Sequence, residues 1–236
     1  MKTLLAVVAL VTSACAHAHG GLVDLSVYDR TEGRRLPVYW HEGRAWVAGK
    51  PGNEYQVSLR SRQGQDVLAV VSVDGVNVIT GETAHPAQSG YVLSPRGGVD
   101  IRGWRKSLSQ TAAFYFTSLP DSYAARTGRP DDVGVIGVAL FRRKLQQPPQ
   151  PLSEAAPAKR AESRADAQMG TGHGRQEYSP ATHVTFERAS VSPAEVITLY
   201  YDSYAKLVAR GIIRDPVQVA PLQRPRPFPG FVPDPA

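Results

Sequence analysis

From Leu22 to about Lys144, apolar and polar positions alternate with a period of two in short runs broken by turn residues. The stretch Glu54-Tyr55-Gln56-Val57-Ser58-Leu59-Arg60 alternates strictly, which predicts a strand with Tyr55, Val57 and Leu59 facing inward. Residues 22–28, 36–40 and 45–48 read as further strands, the last two joined by His41-Glu42-Gly43-Arg44 as a four-residue hairpin connection. Residues 66–73 are almost continuously apolar and predict the most buried strand. Asp74-Gly75 then separates this run from residues 76–80, a strong hairpin signal. Strands are also expected at 90–93, 99–101, 112–117 and 133–141, with a single helical turn at 122–127 closed by Gly128. With no ten-residue helical period among these runs, the pattern predicts an all-β chain, an antiparallel β-sandwich or barrel-like domain over residues 19–144.

The composition then shifts. Residues 145–180 open with Gln146-Gln147-Pro148-Pro149 and continue in Ala, Glu, Lys and Arg, which predicts a long Pro/Ala-rich flexible linker. Residues 181–215 regain apolar positions. Ser192-Pro193-Ala194-Glu195 matches a capping box, yet residues 196–201 are β-branched and aromatic. The reading adopted is a strand paired with 182–187 and followed by one short C-terminal helix, Ser203 to Arg210, ending at Gly211; a helix starting at the capping box stays open as the alternative. This unit is too small to stand alone and is expected to dock on the main sheet. Residues 216–236 are Pro-rich and predict a polyproline-like, disordered tail.

Residues 1–18 have the layout of a signal peptide: Lys2, an apolar run over 4–11, then small residues in the frames Ala14-Cys15-Ala16 and Ala16-His17-Ala18. Export to the periplasm or beyond is the expectation. Lipidation of Cys15 ranks lower, because Thr12 stands where a lipobox has an aliphatic residue. Cys15 is the only cysteine, which excludes a disulfide scaffold and a Cys-based zinc site. No other apolar run approaches the length of a bilayer span, so no transmembrane span is expected in the mature chain. The formal net charge of +6 gives no argument for nucleic acid.

Candidate chemistry is sparse. Cleavage after Ala16 or Ala18 would leave His17 or His19 near a free amine, and amine, amides and imidazole together suit Cu(II). This start is similar to that of copper-dependent lytic polysaccharide monooxygenases and some periplasmic copper carriers, over two or three residues, and a second ligand would have to come from His41, His85, His173 or His183. The favoured reading is that the His residues belong to the processing region and that no cofactor is bound. Gly170-Thr171-Gly172-His173-Gly174-Arg175 offers an anion loop with His173 and Arg175 assisting, but it follows no strand, and a hinge re-entering the fold is preferred. Arg102-Gly103-Trp104-Arg105-Lys106 makes Trp104 and Arg105 a small basic–aromatic binding candidate, and Trp40, Trp46 and Tyr91 join Trp104 as a possible aromatic platform, although aromatics on sandwich strands are more often core. Asp74, His85, Asp100 and Asp202 are acid–base types, with Asp74 accounted for by its turn. No Gly-x-Ser-x-Gly or His-Glu-x-x-His pattern accompanies them.

Residues 67–83 (VLAVVSVDGVNVITGET), with Gly90-Tyr91-Val92-Leu93, Ile101-Arg102-Gly103-Trp104-Arg105 and residues 122–128, resemble a family of uncharacterised exported bacterial proteins over about half the chain. The resemblance implies one β-rich unit and nothing about chemistry. The expectation for function is an exported non-enzymatic β-sandwich protein that binds an envelope component or builds the envelope. The alternatives are a periplasmic copper-binding carrier or oxidase, and a hydrolase whose site is assembled from distant residues.

Overall fold

The computed structural model describes residues 18–19, 21–145 and 169–214. The His17 frame, residues 146–168 of the expected linker and the tail 216–236 lie outside them. The strands in chain order are β1 (Ala18–His19), β2 (Val23–Asp29), β3 (Arg34–Arg35), β4 (Val38–His41), β5 (Arg44–Gly49), β6 (Glu54–Ser61), β7 (Val67–Val73), β8 (Val76–Asn77), β9 (Tyr91–Leu93), β10 (Gly98–Ile101), β11 (Gly103–Arg105), β12 (Gln110–Ser118), β13 (Val135–Arg142), β14 (Met169–Tyr178) and β15 (Glu195–Ser203). Two short helices, α1 (Tyr123–Arg126) and α2 (Tyr204–Ala209), complete the set.

The strands form two sheets, so the chain is an all-β, sandwich-like fold. The first sheet runs β1-β2-β6-β12-β11, with β3 on β2, β10 on β6 and β14 on β12. The second runs β4-β5-β15-β13-β7-β8, with β9 on β7. Every pairing is antiparallel except β5 with β15. Inward-facing residues of both sheets, among them Tyr55, Val57, Leu59, Phe114, Val71, Val138 and Leu199, form one buried core. The alternation in β6 works as the sequence predicts, with Tyr55, Val57 and Leu59 fully buried. Asp74 and Gly75 both take positive φ (51° and 68°), the pair of left-handed residues that a type I′ hairpin requires. Strand β8 stops early because Asn77 Oδ1 accepts the N–H groups of Ile79 (2.8 Å) and Thr80 (3.2 Å), turning the chain out of the ladder.

The C-terminal third corrects three expectations. Residues 169–178 are not linker: they form the edge strand β14, paired with β12 from Gln110↔Tyr178 to Ser118↔Met169. Residues 182–187 are not a strand and do not pair with 196–201. Instead β15 enters the second sheet between β13 and β5. That choice also closes the helix alternative, since Ile197, Leu199 and Tyr201 reach the core with the period of a strand. The helix expected from Ser203 is present as α2.

The outer face of the second sheet is covered by these C-terminal segments. Phe186 of the crossing segment 179–194 packs beside Leu68, Val70, Ala139 and Phe141, which explains why β7 is apolar on both faces. Leu207 of α2, with Ile212 and Ile213, packs beside Trp46.

Candidate binding surfaces

Where the crossing segment passes over β7 and β9, it walls a groove of about 590 Å³. Apolar lining comes from Leu68, Ile79, Val92, Val99 and Val184, and polar lining from Gln88, Asp100 and His183. Two arginines fix the walls. Arg105 donates from Nε to the Tyr91 hydroxyl (3.1 Å) and from its terminal nitrogens to the Ser179 carbonyl (2.9 Å) and hydroxyl (3.3 Å). Arg188 donates to the carbonyls of Pro86 (2.8 Å), Ala87 (3.2 Å) and Gln88 (2.6 Å) while lying over the Phe141 ring. Partial burial lowers the pKa of Arg188 from its ordinary value. Both guanidiniums therefore act as clamps between the sheet and the crossing segment.

The residues singled out from sequence are only partly brought together. Trp104 and Arg105 face opposite sides of β11. Trp104 is a core residue, 3% exposed, edge-on to Phe114 and tilted against Tyr123, with its ring centroid 5.0 Å from that of Tyr123. His173 meets the same Tyr123 ring at 5.4 Å, so Trp104 and His173 share one neighbour. Burial foremost, then the positive charges of Lys106 and Arg126, lowers the pKa of His173. Arg175 lies apart, on Glu54 (2.8 Å) and Glu177 (2.5 Å).

The glycine-rich stretch is neither an anion loop nor a hinge. It is part of β14, and its alternate glycines make one face of that strand flat. A Cβ on Gly172 would lie 2.1 Å from the Tyr115 ring, which is therefore laid directly over the backbone there. The copper candidate His19 sits in β1, opposite Asp24 of β2, and His17 lies outside the described residues. Among the described residues, no three His, Cys, Asp or Glu side chains cluster as metal ligands.

The acid–base candidates have structural partners. His85 Nδ1 accepts Ala87 N–H (3.2 Å), Asp100 pairs with Arg60 (3.3 Å), and Asp202 accepts Ser203 N–H (2.8 Å). Asp74 does more than shape its turn. Fully buried, it accepts Gly134 N–H (2.9 Å) and the Tyr201 hydroxyl on Oδ1, and Thr171 N–H (2.6 Å) on Oδ2. Burial raises its pKa to about 6, against the opposing pull of these donors. Thr171 Oγ1 lies 2.6 Å from the Tyr201 hydroxyl and 2.5 Å from that of Tyr55, so the polar chain crosses between the sheets. Sequence reading missed Tyr55, Thr171 and Tyr201 because their types suit a core strand and their partners are distant in the chain.

Of the aromatic platform, Trp40 is 57% exposed at the β4 edge, while Trp46 is buried on the outer face of β5 and stacked on Tyr200 at 4.9 Å. Comparison with family models, curated proteins and solved structures found no match to this chain.

Proposed function

We propose that this protein is an exported, non-enzymatic binding module of the bacterial envelope, and that the groove under residues 179–188 receives its partner. The observation that carries the reading is the construction of that groove. Arg105 and Arg188 spend their donors on holding its walls, which gives a recess of fixed shape. A preformed recess whose lining mixes apolar side chains with polar groups at fixed places suits capture of a ligand of mixed polarity. The signal-peptide pattern of residues 1–18 supplies the location.

Two measurements test the proposal. The intact mass of the mature protein from its host envelope should correspond to cleavage in the Ala14–Ala18 region. A chain starting at His17 or His19 that gains one copper would replace this reading with the metal one. Binding to fractionated envelope components should then be compared between the wild-type chain and Val184→Glu, which places a charge on the groove wall at a 60% exposed position. Retention that is lost in Val184→Glu, with an unchanged melting curve, is the expected result. Specific turnover of an envelope polymer, lost on replacing His85, Asp100 or His173, would overturn it.

A further inference from the structure

At the opposite edge of the second sheet from the groove, the outer faces of β4, β5 and β15 bring a second set of residues into register. Pairing sets His41 beside Arg44 and Tyr39 beside Trp46. The parallel pairing with β15 sets Tyr200 beside Trp46. Arg44 lies over the Tyr200 ring, 5.7 Å from its centroid, Tyr200 stacks on Trp46, and Arg210 from the end of α2 lies over Trp46 at 4.6 Å. The result is a ladder of guanidinium, phenol, indole and guanidinium. Trp46, Arg44, Arg210 and His41 line one recess of about 340 Å³.

Three features distinguish this recess. Arg30, Arg60, Arg62, Arg143 and Arg175 are each paired with a carboxylate. Arg44 and Arg210 are held by aromatic rings alone among the described residues, so their N–H forks are unspent. Stacking fixes a guanidinium plane and leaves its edge free for bidentate donation. In addition, Trp46 is only 6% exposed and its Nε1–H has no partner among the described residues. A buried donor left without an acceptor carries a desolvation cost. Finally, the carboxylate on the rim, Glu42, has an 81% exposed side chain, and its nearest partner is His41 at 3.8 Å. On their other side Trp46 and Arg210 line a separate recess with Asp131, Asp132 and Asp202, the last paired with Lys206 at 3.6 Å.

We infer that the recess between Arg44, Arg210 and the Trp46 indole is a binding site for a phosphate group, taken as a mono- or diester of an envelope component or as the free ion. The charge is matched by two forked donors, and the unpartnered indole N–H belongs to the ring that both guanidiniums frame. The site is independent of the groove, so either reading can fail without the other.

The test is an NMR titration of the full chain with inorganic phosphate, following the Trp46 indole N–H at constant ionic strength against chloride. A saturable shift is expected, and Arg44→Gln and Arg210→Gln should each weaken the apparent affinity at least tenfold. Parallel titrations with glycerol phosphate and with phosphatidylglycerol vesicles separate a free-ion site from one reading an ester or a membrane surface. A chloride-equal response, or a shift that survives both arginine substitutions, overturns the assignment.

Discussion

The backbone N–H of Thr171 donates to the buried carboxylate of Asp74 over 2.6 Å, joining the edge strand of one sheet to the hairpin of the other. A strand edge facing inward would otherwise leave an unpaired donor in the core, a loss of order 1–3 kcal/mol. Asp74 accepts that donor, and its second oxygen takes Gly134 N–H and the Tyr201 hydroxyl. The hairpin, β13, β14 and β15 are thereby held at one point.

This pin makes stability depend on pH. Burial raises the Asp74 pKa from 3.8 to about 6. Between those values the native chain keeps a proton that the unfolded chain has released, so the Asp74 contribution falls as pH rises from about 4 to 6 and is level above that. A shift of this size corresponds to about 3 kcal/mol. Glu32 acts in the other direction: hydrogen bonds from Arg34 and Lys50 lower its pKa from 4.5 to about 2, so its contribution is lost as pH falls below that window. Urea unfolding of wild type and Asp74→Asn at pH 4 to 7 should show the stability gap between them narrowing as pH rises. A gap constant across the range would rule out this titration.

Tyr201 restrains the same carboxyl. Its hydroxyl stabilises the ionised form and is the largest opposing influence on the raised pKa. Tyr201→Phe should therefore move the Asp74 midpoint further up, read from the side-chain ¹³C shift against pH, and cost about 1–3 kcal/mol from the unsatisfied Thr171 and Asp74 groups it leaves. An unmoved midpoint would show that the hydroxyl does not govern the charge.

Close packing over the glycine strand gives a separate test. A methyl on Gly172 would meet the Tyr115 ring at 2.1 Å, so Gly172→Ala should destabilise by about 1–3 kcal/mol through overpacking. Removing the ring in Tyr115→Ser makes room for that methyl. The double variant should then lose clearly less than the sum of the two single losses, measured by thermal or chemical unfolding. Strict additivity would place the cost elsewhere.

These features mark how far the sequence could be read. Strand β6 and the Asp74-Gly75 turn were legible because their signals are local, alternation in one case and two adjacent left-handed residues in the other. Strand β14 was not. Its Gly-x-Gly-x-Gly run has low β-propensity, and what makes it a strand is the Tyr115 ring over Gly172 and the full-length pairing with β12, both across a long stretch of chain. The placement of β15 was missed for a related reason. Residues 182–187 look like a partner strand, yet only Phe186 among their apolar side chains packs into a cluster, while Val184 stays 60% exposed. The arginine–aromatic ladder was half visible: Trp46 stood out, but Arg44, Tyr200 and Arg210 gain their meaning only when β5 and β15 run side by side.

The far end of β14 is held by charge, and it gives the last prediction. Glu177, with a side chain 7% exposed, accepts both terminal nitrogens of Arg30 (3.0 and 2.7 Å), and Arg175 approaches it at 2.5 Å. Glu54 accepts from Nε of Arg175 (2.8 Å) and from the same terminal nitrogen that approaches Glu177 (3.0 Å), and lies 3.5 Å from Arg30. Replacing Glu177 with alanine leaves two guanidiniums facing one carboxylate, and Arg30, only 18% exposed, loses its bidentate partner. Breaking an ion pair that is largely shielded from water costs more than breaking an exposed one, so Glu177→Ala should lose about 2 kcal/mol. Glu54 is more open to solvent, with 27% side-chain exposure, and Glu54→Ala should lose about 1 kcal/mol. Raising salt should shrink the Glu54 effect more than the Glu177 effect, because screening acts on the exposed pair. Amide exchange should quicken at Glu177 and Tyr178, which pair with Thr111 and Gln110, while Thr171 stays protected by its bond to Asp74. An Ala variant at 54 costing more than one at 177, or uniform loss of protection along β14, would show that the strand is not anchored at these two separate points.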